Sequence, residues 1–231
     1  MQHNPVWKMI YLARRNPKLA AQEFAQAWRE HSALGRQCRN VGQRVHAVAQ
    51  CSRVLHAKAP LLSESHDGVN LMVLADQASG TLIWDDPETL RIMRPDEPRV
   101  FADYVRNCAL VCQEHVLHTE RMGGVRPQNG QVILLGFLQR SSAWTAAAQA
   151  PQSLPQAWSA DALAHACRVV CNTVQEPGPA EHGFLFVVEW WFEGLKQARA
   201  AAQCLAAIPL DGEHGRGDAI FVLTQVTHSR S

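Results

Sequence analysis

Apolar positions in the N-terminal half switch between two periods. A β-prone run over 6–14 ("VWKMIYLAR") precedes a segment, 19–34, in which Leu19, Phe24, Ala27, Trp28 and His31 recur near the 3.6-residue helical spacing. Gly35 follows and can end that helix, leaving His31 in its last turn. Further apolar runs predict strands over 44–54 and 69–75, and again over 81–84, then a helix around 97–106 and a strand over 108–117. The order is β-α-β-β-α-β. The C-terminal half predicts strands over 131–139, 165–174, 183–191 and 218–227, with an Ala-rich helix over 192–206. Its first helix is degraded, because Pro151 and Pro155 each remove an amide donor and disfavour helix at the preceding residue.

The two halves echo one another. "WKMIYLARR" from Trp7 pairs with "VILLGFLQR" from Val132, "HAVAQCSRV" from His46 with "HACRVVCNTV" from His165, and "CQEHVLH" ending at His118 with "VLTQVTH" ending at His228. Between them "TERMGGVRPQNG", 119–130, carries the Gly, Pro and Asn-Gly punctuation of a linker. The expected units are therefore 1–118 and 131–231. A β-α-β-β-α-β unit covers one sheet face with helices and leaves the other bare, and two units in one chain can bury their bare faces together.

Composition narrows the partners. With 47% hydrophobic residues the chain can build a substantial core, and 22 Lys and Arg against 21 Asp and Glu, without a basic run, argue against nucleic acid or an anionic membrane surface. The N-terminal stretch lacks a signal peptide's apolar core, and no run of about 18 apolar residues occurs, so a cytoplasmic location is expected. Seven cysteines without paired spacing predict reduced, buried thiols. Cys108 and Cys112, like Cys167 and Cys171, are four apart; on a strand that is about 13 Å, too far for a disulfide or a shared zinc. There is no phosphate-cradling loop, Gly-x-Ser-x-Gly elbow or dinucleotide fingerprint, and "GEHGRGD" at 212–218 reads as a turn.

"MIYLARRNPKLAAQEFAQAWREHSALG", a His-bearing strand, "DGVNLMVLA" and "CQEHVLH" together resemble the EthD-type branch of the dimeric α/β-barrel superfamily. The matching features are Arg14 or Arg15, Glu23, Phe24, Trp28, His31, Asp67, Gly68, Glu114, His115 and Val116, within residues 6–118. Trp28 and His31 have two residues between them where the family pattern has three. In the second half "FVVEWWFEGLKQARAA" resembles the third strand and second helix of the unit. The resemblance implies an α+β fold, two tandem ferredoxin-like units closing into a single-chain pseudo-dimeric α/β barrel with antiparallel sheets. The superfamily holds cofactor-free monooxygenases, polyketide cyclases, isomerases and haem enzymes, so it does not name a reaction.

The candidate catalytic residues are His31, His46 and His115. His31 is a general base or a cap on the helix dipole. His46 shares a strand side with Val48 and Gln50, a mixed face that suits a pocket wall. Glu114 and His115 point to opposite faces, so one of them lines the barrel interior; His115, with Val111, Gln113 and Leu117, is the expected pocket residue. Trp28, Tyr11, Gln113 and Trp190 are the candidate ligand contacts, Trp190 and its neighbour Trp191 facing opposite ways. Tyr104 offers a second phenol without a spacing signal. No metal and no cofactor are expected, with haem through a pocket histidine as the alternative. The expected partner is a small hydrophobic or aromatic molecule, with a homodimer of the two-unit chain as a further expectation. Two functions remain open: a cofactor-independent lyase, cyclase or isomerase on an aromatic or polyketide-like substrate, or a non-catalytic ligand-binding or accessory protein of a catabolic pathway.

Overall fold

The extended runs of the N-terminal half form β1 (Trp7–Ala13), β2 (Val45–Arg53), β3 (Gly68–Leu74) and β4 (Ala109–Thr119). Those of the C-terminal half form β5 (Val132–Gln139), β6 (Arg168–Glu176), β7 (Phe184–Phe192) and β8 (Ala219–Arg230). The computed structural model describes residues 5–57, 59–120, 126–139, 166–176, 183–207 and 219–230. The strands close into one barrel in the order β1-β3-β2-β8-β5-β7-β6-β4, and every pair of neighbours is antiparallel. Within each half the order is the same, β4-β1-β3-β2 and β8-β5-β7-β6, which is the ferredoxin-like arrangement. The halves meet where β2 pairs with β8 and β4 with β6, so closure leaves no open sheet edge. The fold is thus α+β, with two ferredoxin-like units closed into a pseudo-dimeric barrel.

Side-chain alternation sorts the core into three parts. Ile10, Leu12, Cys112, Leu135, Phe137, Val187 and Trp191 point into the barrel. Met9, Tyr11, Ala13 and Val111 point outward under the helices of the first half, of which α1 (Phe24–Leu34) contributes Phe24, Ala27 and Trp28 and α2 (Arg39–Arg44) contributes Val41. Leu134, Val188, Trp190 and Phe221 face α6 (Leu195–Ala207), whose Ala198, Ala201 and Ala202 let it lie close to the sheet. Asn129 and Gly130 lead into β5 with Gly130 at φ +88°, a left-handed turn that favours glycine.

Several elements differ from the sequence expectation. The first helix begins at Phe24, not Leu19, after a run of turns. Residues 81–84 are not a strand: α3 (Ser79–Leu82) forms there because Asp76 accepts from the Ser79 amide at 2.8 Å and its hydroxyl at 2.7 Å. The helix expected over 97–106 is replaced by shorter pieces, since Pro87, Pro95 and Pro98 each start a turn rather than continue one. These are α4 (Pro87–Ile92), a 3-10 turn over Arg94–Asp96, α5 (Glu97–Val100) and a 3-10 turn over Val105–Cys108. Cys108 therefore lies before β4, and the strand spacing assumed for it with Cys112 does not apply. All seven cysteines are free thiols. Phe192 extends β7, which delays α6 to Leu195. The degraded first helix with Pro151 and Pro155, and the 212–218 turn, lie outside the described residues. No helix among the described residues is long and apolar enough to cross a membrane.

Candidate functional site

The outward face of β1, β2 and β3 and the helices over it enclose a cavity of about 60 Å3. Tyr11, Gln50 and Asn70 reach it from the strands, Trp28 and His31 from α1, and Glu97 from α5. Trp28 is placed by packing: it stacks on Phe24 at 5.1 Å and meets Tyr11 at 6.3 Å and Phe101 at 6.2 Å, edge-on to the latter. Gly68 makes room for it, because a Cβ there would lie 2.8 Å from Trp28 Cζ3 and 2.7 Å from the Cys51 carbonyl. Asp67, one residue before, accepts from the Arg15 backbone at 2.9 Å and its guanidinium at 2.6 Å, which ties the end of β1 to the start of β3. The Arg and Asp-Gly features of the sequence are thus scaffolding for the Trp28 pocket.

His31 is 5% exposed and its Nδ1 lies 3.0 Å from Asp96 Oδ2. Burial lowers its pKa, against the hydrogen bond and charge of Asp96, so the ring is neutral at neutral pH. The Arg99 guanidinium grips Asp96 at 2.7 and 3.1 Å and holds its carboxyl below the usual range. An ionised Asp96 accepts the hydrogen bond donated by Nδ1–H, which assigns the tautomer and leaves Nε2 as the basic nitrogen. Burial pushes Tyr11 well above the usual phenol range, although the Trp28 indole and Asn70 amide ease the shift, so the phenol keeps its proton. Burial also pushes Glu97 up to about 7, with Arg94 at 3.0 Å opposing.

Two acceptors here have no partner. Gln50 donates through Nε2 to the Trp28 carbonyl at 3.0 Å, but its Oε1 is buried without a hydrogen bond, as is Asn70 Oδ1. Leaving such carbonyls unpaired costs stability, on the order of 1–3 kcal/mol each. The cavity therefore combines two waiting acceptors, one phenol donor, a neutral imidazole and a carboxyl raised to about 7.

No family model matches the chain, and no curated protein matches it. Solved structures do. An anthrone oxidase-like protein aligns with 99% of this chain and 94% of its own at TM-score 0.58 and 12% identity. A candidate monooxygenase from Fusobacterium nucleatum aligns over 99% and 95% at 0.56 and 6%. A chlorite dismutase variant from Candidatus Nitrospira defluvii aligns over 96% and 92% at 0.53 and 11%. The fold is that of the dimeric α/β-barrel proteins.

Within this barrel the sequence-predicted residues separate. Trp28, Tyr11 and His31 line one cavity. His46 does not join them, because a β-bulge between Val45 and Ala47 turns it out, and it is exposed, while Val48 and Gln50 on its expected side do line the cavity. His115 and Gln113 are half-buried and share the outward parity of Val111, so the interior position on β4 belongs to Glu114. Likewise Trp190 packs under α6, stacked with Phe221 at 6.3 Å, and Trp191 is the one that faces the barrel interior.

That interior holds charges the sequence reading missed. Lys8 Nζ lies 2.6 Å from both Glu189 and Glu114, Arg168 reaches Glu114 at 3.3 Å, and Asn172 and Trp191 donate to Glu189 at 2.8 and 2.9 Å. Burial would lower the Lys8 pKa, but the two carboxylates override it and raise it; burial would raise Glu189, but Lys8 and the two donors hold it down. Lys8 is thus a fixed cation, not a nucleophile. Among the described residues no group of three or more His, Cys, Asp or Glu is placed to hold a metal. As it stands the His31 cavity, about 60 Å3, has no room for a porphyrin, nor for a multi-ring ligand until lining side chains move.

Proposed function

We propose that the chain is a proton-transfer enzyme acting on a hydroxylated aromatic or polyketide-like molecule in the Trp28–His31 cavity, in keeping with a cofactor-independent lyase, cyclase or isomerase. The observation that carries this reading is the convergence of Gln50 Oε1 and Asn70 Oδ1, both unpaired, with the Tyr11 phenol and the Asp96-held His31. The two acceptors suit substrate hydroxyls, Tyr11 can donate to a developing enolate, and His31 Nε2 can take the proton from an activated C–H. Glu97, near 7, can return a proton at another atom, which makes the reaction an isomerisation with no change of oxidation state. Admitting a ring requires Met72 and Met93, two adaptable lining side chains, to move aside. The name of one structural neighbour, anthrone oxidase-like, supports an aromatic substrate, and the EthD-type motif residues support the same branch of the superfamily.

Anthrone is a suitable probe because its C–H acidity isolates the proposed step. Hydrogen–deuterium exchange at that carbon, followed by NMR without oxygen, should be accelerated by the protein, and His31→Ala should lose about 10²–10⁴-fold of the acceleration. Binding by Trp28 quenching with no exchange would favour the accessory, ligand-binding reading. Neither binding nor exchange would remove both.

A further inference from the structure

A second compartment adjoins the His31 cavity behind one of its walls. Around α5 lies a recess of about 260 Å3 lined by Asn16, Arg94, Phe101, Asp103 and Tyr104. Glu97 lines both this recess and the inner cavity of about 60 Å3, and among the described residues it alone is common to the two. The inner cavity by itself is far below the range of small-molecule pockets, about 300–1,000 Å3, whereas the two spaces joined reach its lower end.

The wall between them is a short chain of contacts. Arg94 Cζ lies 3.5 Å from the centroid of the Tyr104 ring, and its Nη1 donates to Glu97 Oε2 at 3.0 Å. Trp84, which lines the inner cavity, braces Tyr104 edge-on at 6.2 Å. Stacking uses the face of the guanidinium, and the Glu97 bond uses one of its five N–H donors; the rest of the planar fork donates to nothing among the described residues. Other charges nearby are few. Tyr11 and Cys108 are near enough to act on Glu97, but burial keeps both neutral, and Asp103 pairs with Arg14 at 3.6 Å. Because burial lifts the Glu97 carboxyl to about 7, an ordinary carboxylate is the better partner for Arg94 near neutral pH.

We propose that Arg94 selects the substrate: the ring system carries a carboxylate that takes the Arg94 fork from Glu97 in the outer recess, while its hydroxyl end meets Gln50 and Asn70 in the inner cavity. This rests on the reading of the Trp28–His31 cavity as the ligand site and adds the substrate class, a hydroxylated aromatic acid. Replacing one carboxyl by another on the fork opens the wall at Glu97 without leaving the arginine unpaired. Glu97, released from the cation that opposes its protonation, then keeps its proton, as the proton-returning role given to it requires. Phe101 and Tyr104 supply aromatic surface along the way.

Titration calorimetry of the full chain at pH 8 with 6-hydroxy-2-naphthoate and 2-naphthol tests it. The acid should bind about tenfold more tightly than the naphthol, and Arg94→Gln should remove that preference. Glu97→Gln, which takes the competing carboxylate off the fork, should bind the acid several-fold more tightly than the wild type, so the proposal remains falsifiable should Arg94→Gln fail to fold. Anthrone has no carboxylate, so its exchange and the loss in His31→Ala succeed or fail independently of the naphthyl pair. Absence of binding by the acid, equal affinity for the naphthol, an unchanged preference in a folded Arg94→Gln protein, or no tighter binding of the acid to Glu97→Gln would each overturn the proposal.

Discussion

Glu97 shows how far the surroundings of one residue can set its chemistry. It is 4% exposed at the start of α5, and burial pushes its carboxyl from an ordinary 4.5 up to about 7. Because the folded pKa is above the unfolded one, the folded state holds the extra proton between those values, and stability falls as pH rises through that window. Glu97→Gln should lack this slope and exceed the wild type at pH 8 by on the order of 3 kcal/mol. Urea unfolding at pH 5, 6.5 and 8 checks it, and a wild type whose stability relative to Glu97→Gln does not fall over that range contradicts the assignment. Nothing in "RPDEPRV" announces such a carboxylate, since the prolines hide the short helices that bury it. Trp28 and His31 were legible because they continue an apolar stripe at helical spacing. Asp96, which fixes the His31 tautomer, was not, because that contact spans 65 residues of sequence.

At the scale of the element, β1 and β4 show what alternation can and cannot decide. Their existence and two-sidedness could be read directly, and the adjacent Glu114 and His115 had to face opposite ways. Which side was inside depended on a partner in the other half: Lys8, on the Ile10 and Leu12 side, needs Glu114 and Glu189. An apparently misplaced lysine in "VWKMIYLAR" was the available signal. The network also ranks two substitutions. Lys8→Met leaves Glu189 buried with no cation, and Glu114 with Arg168 alone, and should cost about 3–5 kcal/mol. Glu189→Gln leaves Lys8 its Glu114 partner and keeps an amide oxygen for Asn172 or Trp191, so about 1–3 kcal/mol is expected. Guanidinium unfolding at pH 7 measures both, and a Lys8→Met protein as stable as Glu189→Gln would contradict the ranking. Because Glu189 is held low, its contribution is present above the ordinary carboxylate range and lost as pH falls through its folded pKa.

For the whole molecule, the barrel makes each half depend on the other. One half alone would open the β2 and β4, or β6 and β8, edges and bare the interior wall carrying Ile10, Leu12 and Cys112 or Leu135, Phe137 and Trp191. The charges divide the same way, with Lys8 and Glu114 in the first half and Arg168 and Glu189 in the second, so the ion pairs Lys8–Glu189, across the barrel interior, and Arg168–Glu114, across the β4–β6 seam, exist only when the halves are together. A chain cut in the connection between β4 and β5 should therefore give fragments that reassemble. Co-expressed, they should co-purify as one 1:1 particle of native size with the near-ultraviolet dichroism of the intact protein. Expressed singly, each should be unfolded or should self-associate, because exposed edges and an apolar wall both favour association. Size-exclusion chromatography with light scattering distinguishes the outcomes. A first half that stays monomeric with native dichroism would show that the closed barrel is not the folding unit.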